Sequence, residues 1–167
     1  MSKKLYILID TSTSKVDGNY GNCAAFWAAV KDDISNPIYR FGLAFSHFEG
    51  PNNAFYVGIL CALLNCYNWK PRFFDSIEIM GDCRSVIDQL IPTEPRKIKF
   101  MYLEEPYLRQ THKMKYLRDP VIEIQNKFEA ENISIKFGYI SDRDKDYRRI
   151  HAKAMSLRTL LGQQKII

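Results

Sequence analysis

Apolar and polar positions follow two rhythms along this chain. The run from Lys4 to Asp10 (KLYILID) is apolar and rich in β-branched and aromatic residues, so it reads as a buried strand that ends at an acid, before the turn-forming TSTS. Residues 11–22 are polar and contain Gly, which predicts a loop; Cys23 to Lys31 reads as a second strand. Turn residues from Asp32 to Asn36 lead to a third strand from Pro37 to Ser46, and the three together predict an antiparallel meander. From Asn52 to Tyr67 the chain is apolar nearly all round, with Gly50 and Pro51 ahead of it and Asn52 as N-cap, the pattern of a buried helix. Asp75 to Gly81 alternates, with Ile77 and Ile79 on one face, and delivers a second strand-end acid, Asp82; a short helix over Ser85–Leu90 follows.

Beyond Leu90 the periodicity fails. Pro92, Pro95 and Pro106 interrupt a stretch that is therefore read as irregular, and 92–118 carries seven Lys or Arg against three Glu. Phe100, Tyr102, Tyr107 and Tyr116 are interleaved with those charges. Such a basic insertion suits phosphate contact with stacking on sugars or bases, and equally a solvated segment pinned to the core by its aromatics. Helical spacing resumes over Asp119–Asn132 with Pro120 in the first turn. Ile133 to Ile140 alternates as a fifth strand, SDRDKDYRR is a charged loop, and Arg148–Leu161 is a terminal helix with Ala152, Met155 and Leu160 as inward candidates.

With 167 residues and 46% hydrophobic content the chain supports one core, so residues 1–167 are expected to form a single domain. The formal charge of +5 leans toward polyanionic partners. Cys23, Cys61, Cys66 and Cys83 include no CxxC pair, and Cys61 and Cys66 fall on different faces of a helix, so all four read as buried thiols rather than zinc ligands. No stretch has the length of a membrane span and the first residues lack a signal-peptide core, which predicts an intracellular protein, cytoplasmic or nuclear. Oligomeric state is left open.

The order β-β-β-α-β-α-insertion-α-β-α, with acids closing the first and fourth strands, resembles the ribonuclease H family, including its reverse-transcriptase-associated and plant-type members. The resemblance spans nearly the whole chain and implies an α/β (α+β) fold: a five-stranded mixed sheet, three antiparallel strands then two more, with helices on both faces. Asp10 matches the family's first catalytic Asp, and Asp82-Cys83-Arg84-Ser85-Val86 resembles its Asp-Ser-x-x-Val motif. Ala54-Phe55-Tyr56 looks like the Ala-Glu-Tyr of the first helix, which puts Phe55 at the catalytic Glu, and Asn52 falls where the family has a substrate-contacting Asn. Arg149 to Ser156 is similar to the terminal-helix signature, with Lys153 in place of the fourth carboxylate, and the basic insertion falls where some members carry a hybrid-gripping protrusion.

On this reading two of four acids survive, Asp10 and Asp82. Two-metal hydrolysis needs several carboxylates around its cations, and neither Phe55 nor Lys153 can serve. Two carboxylates about 4 Å apart repel by about 4 kcal/mol at an effective dielectric near 20, which suggests that the Lys153 ammonium replaces the metal and pairs with both, while Phe55 extends an apolar stripe through Ile59 and Ala62; an exposed Lys153 is the other reading. Asp142, Asp144 and Asp146 are assigned to the N-terminus of the last helix and His151 to its surface or cap; His47 and His112 have no identified partner.

The resemblance thus implies a catalytically degenerate domain that binds nucleic acid, an RNA–DNA hybrid or structured RNA, through Asn52, Arg96, Lys97, Lys99, Lys113, Lys115, Arg148 and Arg149, or that serves as a module in a larger nucleoprotein complex. Under that reading no cofactor is expected. The alternatives are an active ribonuclease with a remodelled site, using Mg²⁺ or Mn²⁺ on Asp10 and Asp82, and a purely protein-interaction module.

Overall fold

The computed structural model describes residues 3–16, 19–30, 39–45, 50–69, 74–91 and 104–163, of which 16, 19–20, 39, 44–45, 69, 104–115 and 161–163 by backbone alone. Five strands form one mixed sheet: β1 (Lys4–Val16), β2 (Asn19–Val30), β3 (Tyr39–Phe45), β4 (Ser76–Gly81) and β5 (Ser134–Tyr139), in the order β3-β2-β1-β4-β5. β2 pairs antiparallel with β1 and β3, whereas β4 pairs parallel with β1 and β5. The described residues also form four helices: α1 (Pro51–Trp69), α2 (Arg84–Leu90), α3 (Glu104–Ala130) and α4 (Lys145–Gln163).

Side-chain alternation along β1 divides the core in two. Leu5, Ile7 and Ile9 are fully buried with Phe55, Ile59 and Leu63 of α1 and with Val121 and Phe128 of α3. Leu8 faces the other way, against Tyr147 and Ile150 of α4 and Ile140. The helices therefore cover both faces, and β1 lies at the centre of the sheet.

Two expectations give way. β1 does not stop at Asp10: the hairpin with β2 continues through Thr11↔Ala25 and Ser12↔Ala24 to Val16↔Asn19, with a register shift between Thr13 and Lys15. Past Leu8 no β4 lies alongside β1, but β3 still flanks β2 opposite Thr11–Thr13, with Ser12 buried and Lys15 exposed. The β-branched Thr residues suit a half-buried strand, so the polar sequence that reads as loop is strand. The second concerns 104–118, which is the N-terminal part of α3 rather than irregular insertion, and α3 runs on through Pro120. Pro106 sits in the first turn, where amides have no helical partner, and Pro120 costs a single hydrogen bond that packing of Val121 and Phe128 offsets.

Local chemistry sets the element ends that matter. α1 starts on Pro51, with Gly50 carbonyl accepting the Ala54 N–H at 3.2 Å, so Asn52 lies inside the first turn and its side chain is free for other work. α3 closes with Asn132 at φ 63°, the Ile133 N–H reaching the Phe128 carbonyl at 3.0 Å, a left-handed cap that turns the chain into β5. Among the described residues no helix is long and apolar enough to cross a membrane.

Candidate functional site

The parallel pairing of β1 with β4 ends at Leu8↔Met80, so Asp10 and Asp82 stand just past the carboxyl end of the paired stretch, where open α/β sheets place their ligands. Asp10 is 2% exposed. Its Oδ1 accepts the Thr11 N–H at 2.7 Å, and its Oδ2 lies 2.6 Å from Nδ1 of His151 on α4. The imidazole is half exposed, so the pair joins a buried acid to a ring that reaches solvent. Burial pushes the Asp10 carboxyl up to about 6, and the neighbouring Asp82 charge adds to this, while Thr11 and His151 pull the other way.

Tyr147 ties the second acid to the same helix. Its buried hydroxyl accepts the Asp82 N–H at 3.1 Å and lies 2.5 Å from the Ile9 carbonyl and 3.1 Å from Asp82 Oδ1, so its single proton serves one of these two oxygens at a time. Burial beside both carboxylates raises the phenol well above its ordinary range. What fixes α4 is its cap: Asp144 Oδ1 accepts the N–H groups of Asp146 at 3.0 Å and Tyr147 at 2.9 Å, as expected for loop acids at a helix N-terminus.

The opposite side of the sheet edge differs. Phe55 is fully buried and abuts Gly81, where any Cβ would run into its ring. It points from α1 into the main core, not to the α4 side that holds Asp10 and Asp82, and it continues the apolar stripe through Ile59 and Ala62 as expected. Asn52 does reach the site's rim: its Oδ1 accepts from the Cys83 thiol at 3.3 Å and the Ser85 hydroxyl at 3.1 Å. Nearby, the Arg84 guanidinium lies 5.7 Å from the centre of the exposed Tyr139 ring.

Other sequence-based assignments are corrected. Lys153 does not pair with Asp10 or Asp82; it is exposed, because two residues along a helix rotate the side chain by about 200° from His151. His151, read from sequence as a surface or capping residue, is Asp10's partner instead. Its signal was the buried stripe Tyr147, Ile150 and Ala154, which places position 151 on the margin of the inward face. Cys23 and Cys66 are buried, but Cys61 and Cys83 are only partly so. Arg148 and Arg149 are both exposed; Arg148 lies on the His151 flank and Arg149 on the outer face, 3.8 Å from Asp146. Lys113 and Lys115 lie on α3, and Arg96, Lys97 and Lys99 fall outside the described residues. Sequence reasoning missed buried Asn53, whose amide donates to the Tyr116 hydroxyl at 2.8 Å and ties α1 to the middle of α3.

These residues do not fit a pair of divalent ions. One Asp10 oxygen is committed to an imidazole, Asp82 accepts from a phenol, and position 55 is hydrocarbon on the far face. Among the described residues no group of three or more His, Cys, Asp or Glu side chains could hold a metal.

No protein-family model and no curated protein matches the chain. Solved structures do. A ribonuclease H1 from the halophilic archaeon Halobacterium salinarum is 21% identical with a TM-score of 0.60, over 92% of this chain and 98% of its own. The N-terminal ribonuclease H domain of a Mycobacterium tuberculosis protein is 16% identical with a TM-score of 0.62, over 96% and 99%. LC11-RNase H1, in complex with an RNA/DNA hybrid, is 16% identical with a TM-score of 0.53, over 93% and 94%. The chain has the ribonuclease H fold.

Proposed function

We propose that this protein binds nucleic acid, an RNA–DNA hybrid or structured RNA, on a ribonuclease H fold that no longer performs two-metal hydrolysis. The observation that carries the second half is the Asp10–His151 contact at 2.6 Å, which puts an imidazole against the very carboxylate a metal centre would be built on. The first half is supported by the exposed bases and by a fold neighbour seen with an RNA/DNA hybrid. Arg84, two residues past Asp82, and Arg148 on α4 are both exposed, with Asn52 and Ser85 on the site's rim, which offers a strand crossing the sheet edge positive charge and hydrogen-bonding groups. The basic residues of α3 and of 92–103 extend that charge along the chain. The protein acts inside the cell, by itself or as a module in a larger nucleoprotein complex, and needs no metal cofactor.

The test follows binding and cleavage of a labelled hybrid together, over a salt series with Mg²⁺ or Mn²⁺. Expected is binding that weakens linearly on a log–log plot as salt rises, without metal-dependent cleavage. Metal-dependent cleavage lost in Asp10→Asn would overturn the second half of the proposal. Absence of salt-sensitive binding would overturn the first.

A further inference from the structure

Simple binding makes no use of the Asp10–His151 pair, whose geometry is that of an acid–base dyad. The buried carboxylate takes Nδ1 of a half-exposed ring, which leaves Nε2 as the nitrogen that can face a ligand. A carboxylate on Nδ1 fixes the ring's orientation and tautomer and stabilises the imidazolium formed when Nε2 takes a proton. Arg148 is exposed one turn earlier on α4, about 60° around the helix from His151, so it reaches the same flank. The two carboxylates lie inward of the ring, and negative charge there favours a phosphate on the Arg148 side.

We propose that Asp10 and His151 cleave single-stranded RNA without a divalent metal, by activating the ribose 2′-hydroxyl against its own phosphodiester. The inference rests on the nucleic-acid reading above. Single strands are the substrate because their nucleotides are free to swing the 2′-oxygen into line with the leaving oxygen, which a regular duplex prevents. His151 Nε2 takes the 2′-hydroxyl proton, the bond from O2′ to phosphorus forms, and the bond from phosphorus to O5′ breaks. The departing 5′-oxygen takes a proton from water, and His151 later returns its proton to solvent. The products are a 2′,3′-cyclic phosphate and a 5′-hydroxyl, with no net change in water. In this scheme His151 is the catalytic base, Asp10 the positioning residue and Arg148 the phosphate contact.

The test uses the full chain in EDTA with a labelled DNA oligonucleotide carrying one ribonucleotide, reading cleavage and anisotropy in the same samples. Expected is a cut at the ribonucleotide that leaves a 2′,3′-cyclic end and disappears when that sugar is 2′-O-methylated. His151→Ala should lower the rate by about 10²–10⁴ with binding retained, and added imidazole should restore part of it. Asp10→Asn should lower kcat with little change in KM, a split that mere loss of folding would not give. Lys153→Ala, on the far flank of α4, should cleave like the parent chain. Binding without cleavage, or cleavage indifferent to His151→Ala, overturns the proposal while leaving the binding reading intact. Failure of the parent chain to bind this oligonucleotide while it still binds the hybrid overturns the proposal alone, and failure to bind either overturns both.

Discussion

The two sides of one sheet edge, where β1 and β4 part, have been built in opposite ways. On the α1 side Phe55 presses on Gly81 within the apolar core; on the α4 side Asp10, Asp82, His151 and Tyr147 form a bonded polar cluster in which the imidazole is half exposed. The difference lies in what each helix supplies. α1 gives an apolar stripe that cannot satisfy a carboxylate, whereas α4 gives an imidazole and a phenol that can, and buried acids persist only where such partners exist. Both acids are therefore held on the α4 side.

Exchanging the character of the two sides should have the largest effect. Phe55→Glu buries a carboxylate in a fully enclosed apolar site and is expected to cost about 4 kcal/mol or more, read from urea unfolding, without creating metal-dependent cleavage. A Phe55→Glu protein that folds normally and gains such cleavage would show that the α1 side is a dormant half of the site.

Asp10→Asn should act in the opposite direction on stability. The folded-state carboxyl titrates at about 6 against an ordinary 3.8, so between those values the folded protein holds more protons than the unfolded chain, and the contribution is present below about pH 4 and lost as pH rises through about 6. Removing the charge should raise stability at pH 7 by up to about 3 kcal/mol, less whatever the His151 contact contributes, and flatten the pH dependence between 4 and 6. Unfolding measured across that range should then show a shallower slope than in the parent chain. Tyr147→Phe comes next, at about 1–3 kcal/mol, because the Asp82 amide and the Ile9 carbonyl lose their partner in a buried setting. Smallest is Lys153→Ala, which should stay within about 0.5 kcal/mol in the same assay, as expected for an exposed helix position.

What the sequence made legible follows the same division. Short apolar runs and the helix that is apolar nearly all round specified the β-β-β-α-β-α order and the central place of β1, because burial is written in local pattern. Thr11 to Val16 and 104–118 were not legible: the first extends a hairpin through polar residues, and the second is a helix whose beginning is crowded by prolines that its first turn tolerates. Asp10 and Asp82 were visible as strand-end acids. Their partners were not, since Asp10 and His151 are 141 positions apart and only the rotation of α4 decides that His151, not Lys153, faces the acid.

The most direct test of the site as a metal-free polar pair is a Mn²⁺ titration of the parent chain and of Asp10→Asn, followed by electron paramagnetic resonance of the free ion. The account predicts superimposable curves, because Asp10 is already paired with His151. Saturable Mn²⁺ binding by the parent chain that vanishes in Asp10→Asn would contradict it.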